Sequence, residues 1–92
     1  MKRFEGRCAI VTGGAGNIGQ AITRYLLSEG ADVVICGRRE PDEPVIAGGK
    51  QALFVQADIR QAEQSQRVID AALATFGHLD ILVNNAGGSP PV

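Results

Sequence analysis

The chain has 92 residues, 45% hydrophobic and 21% charged, and nine Lys and Arg against ten Asp and Glu leave a net charge of -1. These are the proportions of one ordinary globular domain, or of one part of a larger one, and they exclude disordered and collagen-like chains. The near-zero charge removes the electrostatic case for nucleic acid or an anionic membrane as partner. With neither a bilayer-length apolar run nor a signal-like start behind Met1-Lys2-Arg3, the chain is expected to be cytoplasmic.

Cys8-Ala9-Ile10-Val11 is a short apolar run closed by Thr12-Gly13-Gly14, which predicts a strand buried on both faces. Ile18, Ala21, Ile22, Tyr25 and Leu26 follow a helical repeat and predict an amphipathic helix resting on that stripe and stopped by Gly30. Tyr25 is expected to face the core with its hydroxyl near solvent. Val33-Val34-Ile35-Cys36 predicts a second strand. Between Gly37 and Gln51, Pro41, Pro44, Gly48 and Gly49 forbid a long helix and leave room for a short helical turn. Ala52-Leu53-Phe54-Val55 predicts a third strand. Ile69, Ala72, Leu73 and Phe76, with Val68 beside them, predict a second helix ended by Gly77. Ile81-Leu82-Val83 predicts a fourth strand running into Asn84-Asn85-Ala86-Gly87, and the residues from Gly88 to Val92 read as loop.

Short apolar strands joined by long connections form parallel sheets covered by helices. The order β-α-β-loop-β-α-β therefore predicts a Rossmann-type, doubly wound α/β fold, and right-handed crossovers give the spatial strand order 3-2-1-4. Cys8 and Cys36 fall at opposite ends of neighbouring strands, about 10 Å apart by strand rise, beyond disulfide reach. They read as small buried hydrophobes.

The chemistry concentrates in Thr12-Gly13-Gly14-Ala15-Gly16-Asn17-Ile18-Gly19, where Gly14, Gly16 and Gly19 fit G-x-G-x-x-G between a strand and a helix. Glycines there permit a tight turn, a close backbone approach to a pyrophosphate and a close helix–strand contact. The helix N-terminus offers unpaired amides and partial positive charge. The residue ending the second strand discriminates among ligands. An acid there would hold the ribose hydroxyls of NAD, and flavin or S-adenosylmethionine sites would also want one. Here the sequence reads Cys36-Gly37-Arg38-Arg39, with no acid before Glu40. Two guanidiniums suit a doubly charged 2′-phosphate, which favours NADP over NAD and ranks a methyltransferase or flavin domain low.

At this point the chain resembles the short-chain dehydrogenase/reductase family along its whole length. Thr12-Gly13 opens a T-G-x-x-x-G-x-G motif that ends at Gly19, Asp58 follows the third strand, and Leu79-Asp80-Ile81-Leu82-Val83-Asn84-Asn85-Ala86-Gly87 matches the family's fourth strand. The resemblance implies that Gly13, Gly16, Asn17, Ile18 and Gly19 shape the pyrophosphate loop and that Arg38, with Arg39, binds the 2′-phosphate. It further implies that Asp58 accepts a hydrogen bond from the adenine amine, that Ile59 packs beside the base, and that Asn85, Ala86 and Gly87 line the ribose while Asn84 braces the strand. Asn17 stands where the motif has its middle glycine, so Gly16 is expected to supply the close approach.

The implied activity is hydride transfer between a nicotinamide and a carbonyl or alcohol, on a small-molecule substrate, in a homo-oligomer. The family's Ser and Tyr-x-x-x-Lys are not found: the single tyrosine, Tyr25, is followed four residues later by Glu29. Residues 1–92 are thus read as the NAD(P)-binding portion of a longer enzyme whose catalytic portion lies elsewhere, against a non-catalytic NADP-binding or sensing module. His78, the single histidine, is expected at the surface on the sheet edge away from the ligand.

Overall fold

A computed structural model describes residues 2–85. Its centre is β1 (Cys8–Thr12), buried along all five residues, followed by α1 (Asn17–Ser28) and β2 (Asp32–Gly37). A two-residue ribbon, β3 (Ile46–Ala47) and β4 (Lys50–Gln51), precedes β5 (Leu53–Gln56), α2 (Ala62–Phe76) and β6 (Ile81–Asn84). The sheet order is β5-β2-β1-β6 with every pairing parallel, which is the expected 3-2-1-4 arrangement of a doubly wound fold. The four main strands lie within one or two residues of their predicted ends.

Strand alternation divides the core into two layers. On the α1 side, Ala9, Val11, Val33 and Ile35 pack with Leu26, Leu27, Val45 and Ala52. On the α2 side, Cys8, Ile10, Val34 and Cys36 pack with Val68 and Ala72. The two cysteines are free and buried; Cys8 pairs with Asp32 and Cys36 with Thr12, four residues farther along the sheet. β6 pairs only with β1 among the described residues, and its Leu82 is 66% exposed.

Two expectations are corrected. The buried face of α1 is Gly19, Thr23, Leu26 and Leu27, whereas Ile18 is 69% and Tyr25 48% exposed. Close contact decides the phase. A Cβ on Gly19 would stand 2.1 Å from the Gly13 carbonyl oxygen, so only glycine lets this face reach the loop. Thr23 can be buried because its hydroxyl donates to Gly19 O at 2.7 Å. Tyr25 instead lies edge-on to Phe4, centroids 6.3 Å apart, on the outer surface. The second correction concerns residues 37–51, which form no helical turn: Gly48 and Gly49, at φ 59° and 77°, turn the antiparallel β3–β4 ribbon. It carries Val45 and Ala52 into the α1-side core, where the Ala52 N–H donates to Val45 O at 2.9 Å.

Helix ends follow sequence chemistry. α1 ends at Ser28 with Gly30 at φ 95°, and α2 ends on Gly77 at φ 87°, whose N–H donates to Leu73 O at 2.9 Å. At the N-terminal edge of the sheet, Asp80 Oδ2 accepts the Cys8 N–H at 2.9 Å and lies 2.6 Å from Nδ1 of exposed His78. This edge is opposite the strand ends that meet the glycine loop.

Candidate dinucleotide site

The C-terminal ends of β1, β2, β5 and β6 converge because the chain leaves β1 in one direction through α1, while α2 carries it back to the other side. Main-chain bonds tie the ends together: Gly13 N–H donates to Cys36 O at 2.9 Å, and Ala57 N–H donates to Gly37 O at 2.8 Å. Between them opens a cleft of about 570 Å³. Gly16, Arg38, Arg39, Asp58, Ile59 and Asn85 all line it, joined by Gly13 and Arg60.

The glycines divide the work differently from the G-x-G-x-x-G reading. The left-handed residue is Gly13, at φ 67°. Gly14 is needed for packing, since a Cβ there would meet Ile35 side-chain atoms at 2.5 Å. Gly19 lies buried beneath the loop. Gly16 is the open one: its Cβ would find only the Gly13 carbonyl oxygen, at 3.6 Å. Asn17 brings no strain, because no described non-glycine residue has positive φ. It begins α1 and lines a neighbouring groove with Arg24 and Arg39. Ile18 projects from the helix start and lines neither cavity. Ala86 and Gly87 lie outside the described residues.

The N-cap of α1 is Gly16, with no side-chain cap bond and no acid in the first turn of the helix. Its leading amides thus point from a positive helix end, the arrangement that receives an anion. Gln20 secures the loop by donating from Nε2 to Ala15 O at 2.8 Å. Across the cleft, Thr12 links β1 to β6: its hydroxyl accepts the Asn85 N–H at 2.9 Å and lies 3.2 Å from Asn84 Oδ1. Asn85 Nδ2 donates to Gly13 O at 3.4 Å. The bracing expected of Asn84 therefore runs through a threonine hydroxyl.

Asp58 does not cap α2, whose N-cap is Gln61 with no side-chain cap bond. Its carboxylate instead accepts from Arg60, at 3.0 Å from Nε to Oδ1 and 2.9 Å from Nη2 to Oδ2. Those bonds, chiefly from the Arg60 side chain and then its backbone N–H, hold the Asp58 pKa down to about 2. Burial pushes the Cys36 thiol upward, so it stays protonated at neutral pH. Arg60 and Thr12 are the site residues that sequence reasoning missed. Arg60 stands two residues after the acid, a spacing that by itself does not show which carboxylate lone pairs it occupies.

A family model described as short chain dehydrogenase matches residues 7–92. An uncharacterized oxidoreductase of Methylorubrum extorquens is 42% identical over 93 residues, covering 95% of this chain and 38% of that protein. L-fucose dehydrogenase of Mus musculus is 38% identical over 98 residues, covering 99% of this chain and 34% of that protein. Among solved structures, an NADH-dependent reductase complexed with NAD superposes with a TM-score of 0.83 at 30% identity, covering 95% of this chain and 38% of the other. The chain thus spans little more than a third of the length of these relatives.

Proposed function

The chain belongs to the short-chain dehydrogenase family, and from that premise we propose that it supplies the cofactor-binding part of an NADP-dependent oxidoreductase. The reaction of the complete protein is hydride transfer between the nicotinamide and a small carbonyl or alcohol. The residues present fit such a dinucleotide. Gly19 leaves no room for a Cβ beneath the loop, and Gly16 leaves open space above it. The uncapped start of α1 suits a diphosphate. Asp58 is the acceptor for the adenine amine, Ile59 packs beside the base, and Asn85 lies along the ribose. Ala86 and Gly87 continue that role in the same reading. When bound, the dinucleotide supplies the hydride-carrying ring, while this chain binds and orients it.

One observation carries the choice of NADP: Arg38 and Arg39 both line the cleft just past β2, where an NAD site would present an acid. The NADH-dependent relative binds NAD, so family membership alone does not choose between the two. Dinucleotide titration of the complete polypeptide tests the choice. Arg38→Ala should weaken NADPH binding by about ten- to a hundredfold, the worth of charge-assisted hydrogen bonds, and spare NADH. Equal loss of both would refute the phosphate assignment.

Tyr25, on the outer face of α1, is outside the cleft and is assigned no catalytic role. The proton-transfer residues are proposed to come from the rest of the protein. A homo-oligomer is proposed for the complete protein in the cytoplasm; a single-subunit mass at micromolar concentration would remove the oligomer from the reading.

A further inference from the structure

We propose that Arg60 is a positioning residue for base recognition: it fixes the Asp58 carboxylate so that one acceptor site, on Oδ2, is left for an exocyclic amine. The inference rests on the dinucleotide reading above and adds to it a residue and a selectivity. Asp58 Oδ1 accepts both the Arg60 backbone N–H at 3.1 Å and Nε at 3.0 Å, which fills its two lone-pair positions. Among the described residues Oδ2 accepts Nη2 alone, at 2.9 Å, and retains one.

The main chain around Asp58 is held as well. Its N–H donates to Gln64 Oε1 at 2.6 Å, and its carbonyl accepts the Gln61 N–H at 3.0 Å. The carboxylate is therefore fixed in both rotation and position, with its one open acceptor at the wall of the cleft that Ile59 and Arg38 also line. An amino group can donate to that acceptor. An oxo group cannot, and would face it as a second negative dipole. The Arg60 guanidinium also offsets the Asp58 charge, which reduces repulsion of a polyanionic ligand.

Arg60 has a side chain 73% exposed, and an exposed pair adds little to fold stability. Its removal should therefore be read in recognition. The test titrates the complete polypeptide with the reduced dinucleotide that the wild type prefers and with its hypoxanthine analogue. Wild type should favour the amino base. Arg60→Ala should reduce that preference by about three- to tenfold, as expected for one hydrogen bond to a charged acceptor. Arg60→Lys, unable to engage both oxygens, should fall between, and thermal midpoints should stay together.

Arg60→Ala should also weaken NADH and NADPH by the same factor, unlike Arg38→Ala. An unchanged base preference in Arg60→Ala, or a loss confined to NADPH, overturns the inference. A wild type that binds adenine dinucleotides without preferring the amino base overturns this inference alone. A wild type that binds neither dinucleotide overturns the proposed function itself.

Discussion

Adding one methyl group at position 19 should cost far more stability than adding the same group at position 16. A Cβ on Gly19 would sit 2.1 Å from Gly13 O and 2.8 Å from both Gly13 C and Gly14 Cα. All three are backbone atoms, so no rotamer change relieves the contact. Reaching the 3.0 Å below which real Cβ atoms essentially never approach requires an opening of about 0.9 Å. Either α1 lifts from the loop or the Gly13 carbonyl swings away from the Gly16 and Asn85 donors that it serves at 3.2 and 3.4 Å. Overpacking of this kind costs about 1–3 kcal/mol.

Gly16→Ala meets nothing nearer than 3.6 Å, and its φ of -77° with ψ of 168° is open to any residue. Loss of a favourable N-cap glycine is offset by a stiffer unfolded chain, leaving a net change within about 0.5 kcal/mol. The methyl of Gly16→Ala would still stand on the cleft wall and should weaken dinucleotide binding. Urea unfolding of the complete polypeptide and its two variants, with a dinucleotide titration of each, reads both effects. Equal stabilities for the two variants, or a less stable Gly16→Ala, would refute the packing argument.

Three further outcomes are expected. The Cys8 N–H bond is the largest influence holding the Asp80 carboxyl below its ordinary range. The stability it contributes is present above the unfolded value of about 3.9 and is lost as pH falls through the lower folded value. Asp80→Asn should accordingly flatten the acid limb of a stability–pH curve, and an unaltered limb would contradict the assignment. Burial is the largest cause raising the Cys8 and Cys36 thiols; a thiol reagent at pH 8 should label them slowly in the native protein and quickly in urea, so rapid native labelling would count against the packing described. Thr12→Val removes the acceptor of the Asn85 N–H at a position only 6% exposed and should cost about 1–3 kcal/mol, with Thr12→Ser retaining most of it. Chemical denaturation would show whether that rescue occurs.

The sheet was legible because each main strand is an apolar run of three or four residues between breakers, and crossover handedness then leaves one order for those runs. The phase of α1 was not, since its contact face includes Gly19 and Thr23, which carry no hydrophobic signal. Burial there follows from the absence of a side chain and from a hydroxyl satisfied within the helix. The β3–β4 ribbon has strands too short for periodicity, although Gly48-Gly49 was a usable hairpin signal. In the site, Arg38 and Arg39 could be picked out by charge at a strand end, and Asp58 by the family resemblance. Arg60 could not, because its significance lies in which lone pairs of Asp58 it occupies, a matter of angles and distances.

The alternation along β1 and β2 makes the sheet an energetic partition. Val11 belongs to one layer and its chain neighbour Ile10 to the other, with no buried partner in common among the described residues. Truncations drawn from opposite layers should therefore sum, whereas Val33 and Leu27, sharing a layer, should show a coupling energy in a double-mutant cycle. Adjacency in the chain is thus a poor guide to epistasis here, and the side of the sheet a residue faces is the better one.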